Sequence, residues 1–122
     1  MTAMAKVEVL RAACCVAGAD GTVDEKERKL IDNLAAKVGV GQASLDAMIL
    51  RAETEPDFYQ TQFRVLKSDA ASTMGLMFEV AAQDRNIDPS ELKILQRFAT
   101  RLGMDEEGFR ETFAATARKL GL

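Results

Sequence analysis

Acidic side chains recur in two short segments of the chain, at a spacing that could bind a hard metal ion. Each segment carries two aspartates and a glutamate within eight residues: Asp20, Asp24 and Glu27, and then Asp84, Asp88 and Glu91. Such a cluster of carboxylates repels itself unless a positive charge neutralises it. The chain has no histidine, so oxygen atoms would be the ligands, and we expect Ca²⁺ or Mg²⁺ bound with low affinity.

Helix capping accounts for four of these six residues without a metal ion. Asp24 and Asp88 each stand where the N-cap of a following helix belongs, and Pro89 suits the first helical position. Glu27 and Glu91 lie three residues further on, where the second member of a capping box belongs. A purely structural role for the acidic turns is therefore one hypothesis.

Asp20 and Asp84 need another explanation, because each lies at the C-terminal end of the preceding predicted helix. The helix dipole disfavours a negative charge at that end. The carboxylate could accept hydrogen bonds from the backbone of the turn, as in an Asx-turn, or it could bind a cation. The sequence leaves both explanations open.

The turn matches only the second half of an EF-hand calcium-binding loop. Val16 and Gly18 stand where the first and third ligands of that loop would be, and the second copy has Val80 and Ala82 there. The chain therefore has no EF-hand loop. Arg85 replaces a glycine in the second copy, so we expect the second site to be the weaker one.

Both acidic segments belong to a longer internal repeat with a constant offset of 64 residues. The alignment holds without a gap from Leu10 paired with Met74 to Leu45 paired with Phe109. This pattern predicts a duplicated helix–acidic turn–helix unit. The predicted units cover about residues 5–53 and 69–119 of a single domain, residues 1–122.

Apolar residues at helical spacing predict about seven helices and no strand. The predicted helices are at about residues 3–19, 24–38, 42–53, 57–67, 69–83, 89–102 and 105–119. The fold class is thus an all-α bundle with short loops. We expect a pseudo-two-fold axis between the two units, with the first and fifth helices at the centre.

Composition excludes several classes of protein. The net charge of −3 argues against a general nucleic-acid binder, and no apolar run is long enough for membrane insertion. The adjacent residues Cys14 and Cys15 cannot readily form a disulfide with each other, and reduced thiols favour a cytoplasmic location. From the repeat, Cys15 aligns with Glu79 and is expected to be the more exposed of the two cysteines.

A basic row on the sixth predicted helix consists of Lys93, Arg97 and Arg101, four residues apart and opposite the apolar face. Such a row is usually a solvated helix face. It could also be a docking surface for an acidic partner or a membrane surface.

The acidic turn and its surroundings resemble the TerB-like family of tellurite-resistance proteins, which is also found as the N-terminal domain of membrane-anchored DnaJ-type co-chaperones. The residues that carry the resemblance are Ala12 to Ala19, Asp20-Gly21-x-Val23-x-x-x-Glu27, Leu30, Leu34 and the diverged second copy from Asp84 to Glu91. The resemblance implies an all-helical bacterial cytoplasmic domain whose acidic positions bind a divalent metal. It also implies association with stress-response or membrane-associated machinery and no known enzymatic reaction.

Three functions are therefore compared. The first is a non-enzymatic TerB-like module that binds a divalent cation and docks a protein partner, a homodimer also being compatible with the sequence. The second is a purely structural interaction domain whose acidic turns are caps. The third is an enzyme for metal-assisted hydrolysis, which would need an open cleft between the two turns.

Overall fold

The computed structural model describes residues 2–18, 23–55, 66–67, 69–82, 87 and 89–121, which contain six helices and no strand. The helices are α1 (Ala3–Ala17), α2 (Glu25–Val38), α3 (Gln42–Thr54), α4 (Ala70–Ala81), α5 (Pro89–Arg101) and α6 (Glu106–Lys119). The all-α class is confirmed over these residues. Most of the helix predicted at residues 57–67 lies outside the described residues, and its last two residues, Leu66 and Lys67, are helical.

Local capping residues set the helix ends, which explains why the predicted bounds agree closely with the observed ones. Asp24 and Asp105 precede α2 and α6 and accept hydrogen bonds from backbone N–H groups three residues later, at 2.8 and 2.7 Å. Gly39 and Gly103 follow α2 and α5 with φ of +80° and +77°. The left-handed region favours glycine, and both glycines occupy the same position of the repeat.

The helices make reciprocal contacts between the two halves of the chain. α1 packs on α2, α3 and α5, while α4 packs on α5, α6 and α2, and α2 also contacts α5. These are the contacts that a duplicated unit would make, although the duplication itself stays a prediction. α1 and α4 are extensively buried, α1 by α2, α3 and α5 and α4 by α6, α2 and α5. Their expected meeting at the centre is not confirmed.

The hydrophobic core lies between these helices. Its largest fully buried side chains include Leu10, Leu30, Ile31, Leu34, Leu45, Met74, Met77, Phe78, Ile94, Leu95 and Phe98. Every residue of α1 from Ala12 to Ala17 is buried, because α2, α3 and α5 cover this helix. The apolar positions predicted from helical spacing therefore supply most of the core.

The expectation that Cys15 is clearly the more exposed of the two cysteines is wrong, because both are buried. Cys15 is 1% exposed and Cys14 is 0% exposed. α5 covers Cys15, and Nη1 of Arg101 lies 3.9 Å from its Sγ atom. The repeat places Glu79 and Lys37 at the equivalent positions, and they form an ion pair at 2.9 Å. The second helix of each half thus contacts the first helix of the other half, α5 on α1 and α2 on α4. Because the cysteine side chain is shorter than that of glutamate, Cys15 lies buried beneath Arg101.

The last helix, α6, is packed less tightly than the others. Its Phe109 and Phe113 rings contact Phe78 edge to face, with ring centroids 5.2 and 5.1 Å apart. No residue of α6 is fully buried, however, and Phe113 retains 37% exposure. α6 therefore lies at the periphery of the core.

Candidate functional site

The first acidic turn is described from Val23 onward, where α2 begins. Asp24 is exposed, and its Oδ1 atom accepts a hydrogen bond from the Glu27 N–H group at 2.8 Å. Glu27 is only 9% exposed, so its carboxylate lies largely inside the protein. The N-cap predicted at Asp24 is confirmed, while the return bond from the Glu27 side chain stays a prediction. Asp20 lies outside the described residues.

Glu53 on α3 is a further acidic residue at this turn. Its Oε2 atom accepts a hydrogen bond from the backbone N–H group of Val23 at 3.1 Å. The sequence analysis did not select Glu53. A signal was present, because Glu53 follows Leu45 and Ile49 at intervals of four residues and so continues the buried stripe of α3.

The backbone just before the turn also packs closely on α3. A Cβ atom built on Gly18 would lie 3.0 Å from the carbonyl carbon of Ala52 and 3.1 Å from its Cβ atom. Side chains in proteins rarely approach a backbone so closely, so glycine allows this contact. Ala52 and Glu53 are consecutive, and α3 therefore contacts the chain on both sides of the first acidic turn.

The second acidic turn is described only in part. Pro89 is the first residue of α5, as predicted, and Glu91 is 8% exposed. Asp84 and Asp88 lie outside the described residues. Glu27 and Glu91 occupy the same position of the repeat, and both are buried carboxylates. Burial of an acid at the same step of both turns is the main feature that the two turns share in this structure.

The described residues test the predicted metal ligands only in part. Asp24, Glu27 and Glu91 are visible, and no three acidic or thiol side chains among the described residues converge to hold a metal ion. Asp20, Asp84 and Asp88 lie outside the described residues. The donors at the turns are carboxylates, which fit a hard cation. The predicted metal sites therefore stay predictions.

The predicted basic row is not a uniform solvated face. Lys93 is exposed and Arg97 is half-buried, whereas Arg101 reaches towards Cys15 of α1. Lys37, the equivalent of Arg101 on α2, pairs with Glu79 of α4. Arg101 and its equivalent Lys37 thus both contribute to contacts between the two halves of the chain.

These observations define a class of protein, an all-α domain in which an acidic turn, capped by its own aspartate, joins two packed helices. Residues 1–50 match the family model described as Tellurite resistance protein TerB, which confirms the resemblance over that part of the chain. The match includes α1, the first acidic turn, α2 and most of α3, and the second acidic segment lies beyond it. Neither curated proteins nor solved structures gave a significant match.

The length and composition of the helices also indicate whether any of them could span a membrane. None of the helices in the described ranges combines the length and the apolar composition that crossing a bilayer requires.

Proposed function

We propose that this chain is a non-enzymatic module of the tellurite-resistance TerB type that binds a divalent cation at its first acidic turn and docks a protein partner. The single observation that supports this most is the extent of the family match. Residues 1–50 include Asp20, Asp24 and Glu27 and exclude the second turn. We propose that the module is located in the cytoplasm and that it takes part in a stress response.

The chemistry of the side chains at the first turn, although no three of them converge among the described residues, suits a cation rather than an anion. Asp24 and the buried Glu27 lie within one helical turn of each other, and Glu53 approaches from α3. Carboxylate oxygens are the ligands that Ca²⁺ and Mg²⁺ prefer. The second turn carries Arg85 in place of glycine, so we propose that its affinity is lower.

Titration with Ca²⁺ and Mg²⁺, followed by backbone amide chemical shifts, tests the cation. We expect shifts at residues 18–28 in the millimolar range and smaller shifts at residues 82–92. Asp20→Asn should abolish the first response, whereas the matched variant Asp84→Asn should leave it intact. If the amides of both turns are unmoved by millimolar ion, the chain has no cation site at its turns.

A purely structural role is the alternative, and the capping bond from the Glu27 N–H group to Asp24 favours it. In that case Asp24→Ala would lower the free energy of unfolding by about 1 kcal/mol with or without Ca²⁺. Asp20→Asn would leave stability unchanged in both conditions. Under the cation proposal, by contrast, Ca²⁺ stabilises the parent protein and not the Asp20→Asn variant.

Enzymatic hydrolysis would require a cleft that acidic residues of both turns line. Among the cavities that described residues line, α6 forms a wall of four. None of these four is lined by a described acidic residue of either turn. We therefore retain the non-enzymatic proposal, which a hydrolase assay with Ca²⁺ or Mg²⁺ would test.

A further inference from the structure

A groove runs between α5 and α6 on the surface of the second half. Its main cavity, of about 440 Å³, is lined by Leu92, Gln96, Glu106, Phe109, Arg110 and Phe113. A second cavity of about 230 Å³ shares Gln96, Glu106 and Phe109 and extends the groove to Thr100. We call the two cavities together the α5–α6 groove. From Leu92 to Thr100 it follows α5 for about 12 Å, since a helix rises 1.5 Å per residue.

The first half closes the corresponding surface with an ion pair. Arg28 of α2 occupies the repeat position of Leu92, and it bonds to Asp32 at 2.9 Å and to Asp46 of α3 at 2.5 Å. Leu45 of α3, which pairs with Phe109 in the repeat, is 1% exposed. In the second half the residues equivalent to Asp32 and Asp46 are uncharged or basic, so this bridge has no counterpart.

The floor of the groove is apolar and held in place. Phe109 and Phe113 are fixed from below by their edge-to-face contacts with Phe78. Phe113 nevertheless keeps 37% of its surface exposed, and Leu92 and Phe109 are half-buried. Aromatic side chains that are fixed by the core and open to solvent are suited to receive apolar anchors of a partner.

One side of the groove is basic. Lys93 is adjacent to Leu92, and Arg97 is adjacent to Gln96, on the outer side of α5. Within the described part of the chain neither cation has an acidic partner. On the opposite wall Arg110 and Glu106 pair with each other at 2.6 Å. Asp105 lines the second cavity, at the other end of the groove, where it accepts a hydrogen bond from the Gly108 N–H group of α6 at 2.7 Å. The charge beside Leu92, away from Asp105, is therefore positive.

We propose that the α5–α6 groove binds an amphipathic helix of a protein partner, with apolar residues on the floor and acidic residues beside Lys93 and Arg97. About 12 Å accommodates roughly two turns of a helix, which present two or three apolar anchors at intervals of three and four residues. This inference rests on the docking part of the proposed function and names the chemistry of the partner.

Two synthetic helical peptides with the same leucine face test the proposal, one flanked by glutamates and the other by lysines. Fluorescence anisotropy should show that the acidic peptide binds about tenfold more tightly, with the difference decreasing as salt is added. Amide shifts should concentrate at Leu92, Phe109 and Phe113. Equal binding of the two peptides, or no binding up to millimolar peptide, would overturn the proposal.

Variants locate the site. Leu92→Arg introduces the residue of the first half and should weaken binding of the acidic peptide at least tenfold. The matched control is Leu50→Arg on α3, where leucine is 62% exposed and lies outside the groove, and it should leave binding unchanged. Lys93→Glu, a surface change that preserves the fold, leaves Arg97 in place, brings the local charge from two positive to zero, and should abolish the preference between the two peptides. An unchanged preference in Lys93→Glu would contradict the assigned charge.

Further measurements separate other occupants from the proposed one. Dimerisation in sedimentation velocity that Leu92→Arg abolishes would assign the groove to a second copy of this chain instead. Binding to vesicles of anionic lipid in preference to the acidic peptide would assign it to a membrane surface. If the peptide binds in EDTA and the amide shifts of residues 18–28 do not change when Ca²⁺ or Mg²⁺ is added, the groove proposal stands and the cation proposal is rejected. If the peptide does not bind and the amides of residues 18–28 shift with the cation, the groove proposal is rejected and the cation proposal stands.

Discussion

The two halves of this chain, which the predicted repeat relates to each other, differ in how the third helix of each is attached. In the first half, α3 packs against Gly18 and accepts a hydrogen bond through Glu53, and three of its residues are buried. In the second half, Ala82 and Ala117 occupy the positions of Gly18 and Glu53. There α6 has no fully buried residue. The helices α3 and α6 have similar lengths but pack differently, and the residues at these two positions are among those that differ between the halves.

Under the proposed function, this difference would give the two halves separate roles. A turn that a neighbouring helix holds on both sides is suited to present carboxylates in a fixed geometry, which cation binding needs. A peripheral helix with partly open aromatic residues is suited to take up a partner. Substitutions at residues of the first half whose equivalents in the second half differ test this comparison.

The largest effect is expected from Gly18→Ala. The new methyl group would lie about 3.0 Å from the backbone of Ala52, and α3 cannot shift without disturbing Leu45 and Ile49 in the core. We expect the free energy of unfolding to fall by about 1–2 kcal/mol in urea titrations, as is typical of overpacking. The backbone at Gly18 has φ of −86°, so the loss would come from the contact and not from backbone strain.

The matched control is Ala82→Gly, which places the residue of the first half in the second. It removes a methyl group at the end of α4 and should cost less than 1 kcal/mol, through the flexibility that glycine adds. A loss in Ala82→Gly as large as that in Gly18→Ala would show that the two helix ends are equivalent. The close packing at Gly18 would then not distinguish the first half from the second.

The second prediction concerns alkaline pH. Burial raises the pKa of the Cys14 thiol from 9.0 to about 12, with smaller effects of Arg28 and Cys15. Because the unfolded chain ionises at lower pH than the folded one, the stabilisation is complete below pH 9 and is lost as pH rises towards 12. The free energy of unfolding should fall by roughly 1 kcal/mol per pH unit above pH 9.

Cys14→Ala tests the source of that slope. The second half has Phe78 at the equivalent position, which does not titrate, so the alkaline sensitivity belongs to the first half. Urea titrations between pH 8 and pH 10.5, compared at each pH, should show a smaller slope in the variant, although the variant itself is less stable. Identical slopes in the two proteins would mean that other groups cause the alkaline loss.

The sequence predicted features that depend on neighbours in the chain and missed those that depend on distant contacts. Asp24, Gly39 and Gly103 act on the helix ends next to them, so the helix bounds were correct within about two residues. The bond between Val23 and Glu53 joins residues 30 positions apart, and no local pattern specifies it. Half of the predicted carboxylate site lies outside the described residues.

The error at Cys15 has a different origin. The repeat alignment transferred the exposure of a glutamate position to a cysteine. The contact between the halves is preserved, since Arg101 lies over Cys15 as Lys37 lies beside Glu79. A glutamate is long enough to bring its carboxylate to the surface, whereas a cysteine at the same position remains beneath the arginine. Equivalent positions thus predict equivalent neighbours and need not predict equal exposure.

The smallest effect is expected from Glu53→Ala, which removes the acceptor of the Val23 N–H group. We expect a loss of about 1 kcal/mol in the free energy of unfolding, as for one hydrogen bond that is partly exposed to solvent. Glu55→Ala is the matched control on the same helix end. Its carboxylate pairs with Arg51 in an exposed ion pair, and its loss should cost a few tenths of a kcal/mol at most.

Glu53→Gln separates the charge of this residue from its ability to accept the hydrogen bond. The amide oxygen can still accept from Val23, so most of the stability lost in Glu53→Ala should return. If Glu53 also contributes negative charge to a cation site at the first turn, Glu53→Gln should restore stability while weakening the Ca²⁺ response at residues 18–28. A glutamine variant with an undiminished Ca²⁺ response would limit Glu53 to holding α3 against the turn, because an interaction with the cation depends on the lost charge and the hydrogen bond does not.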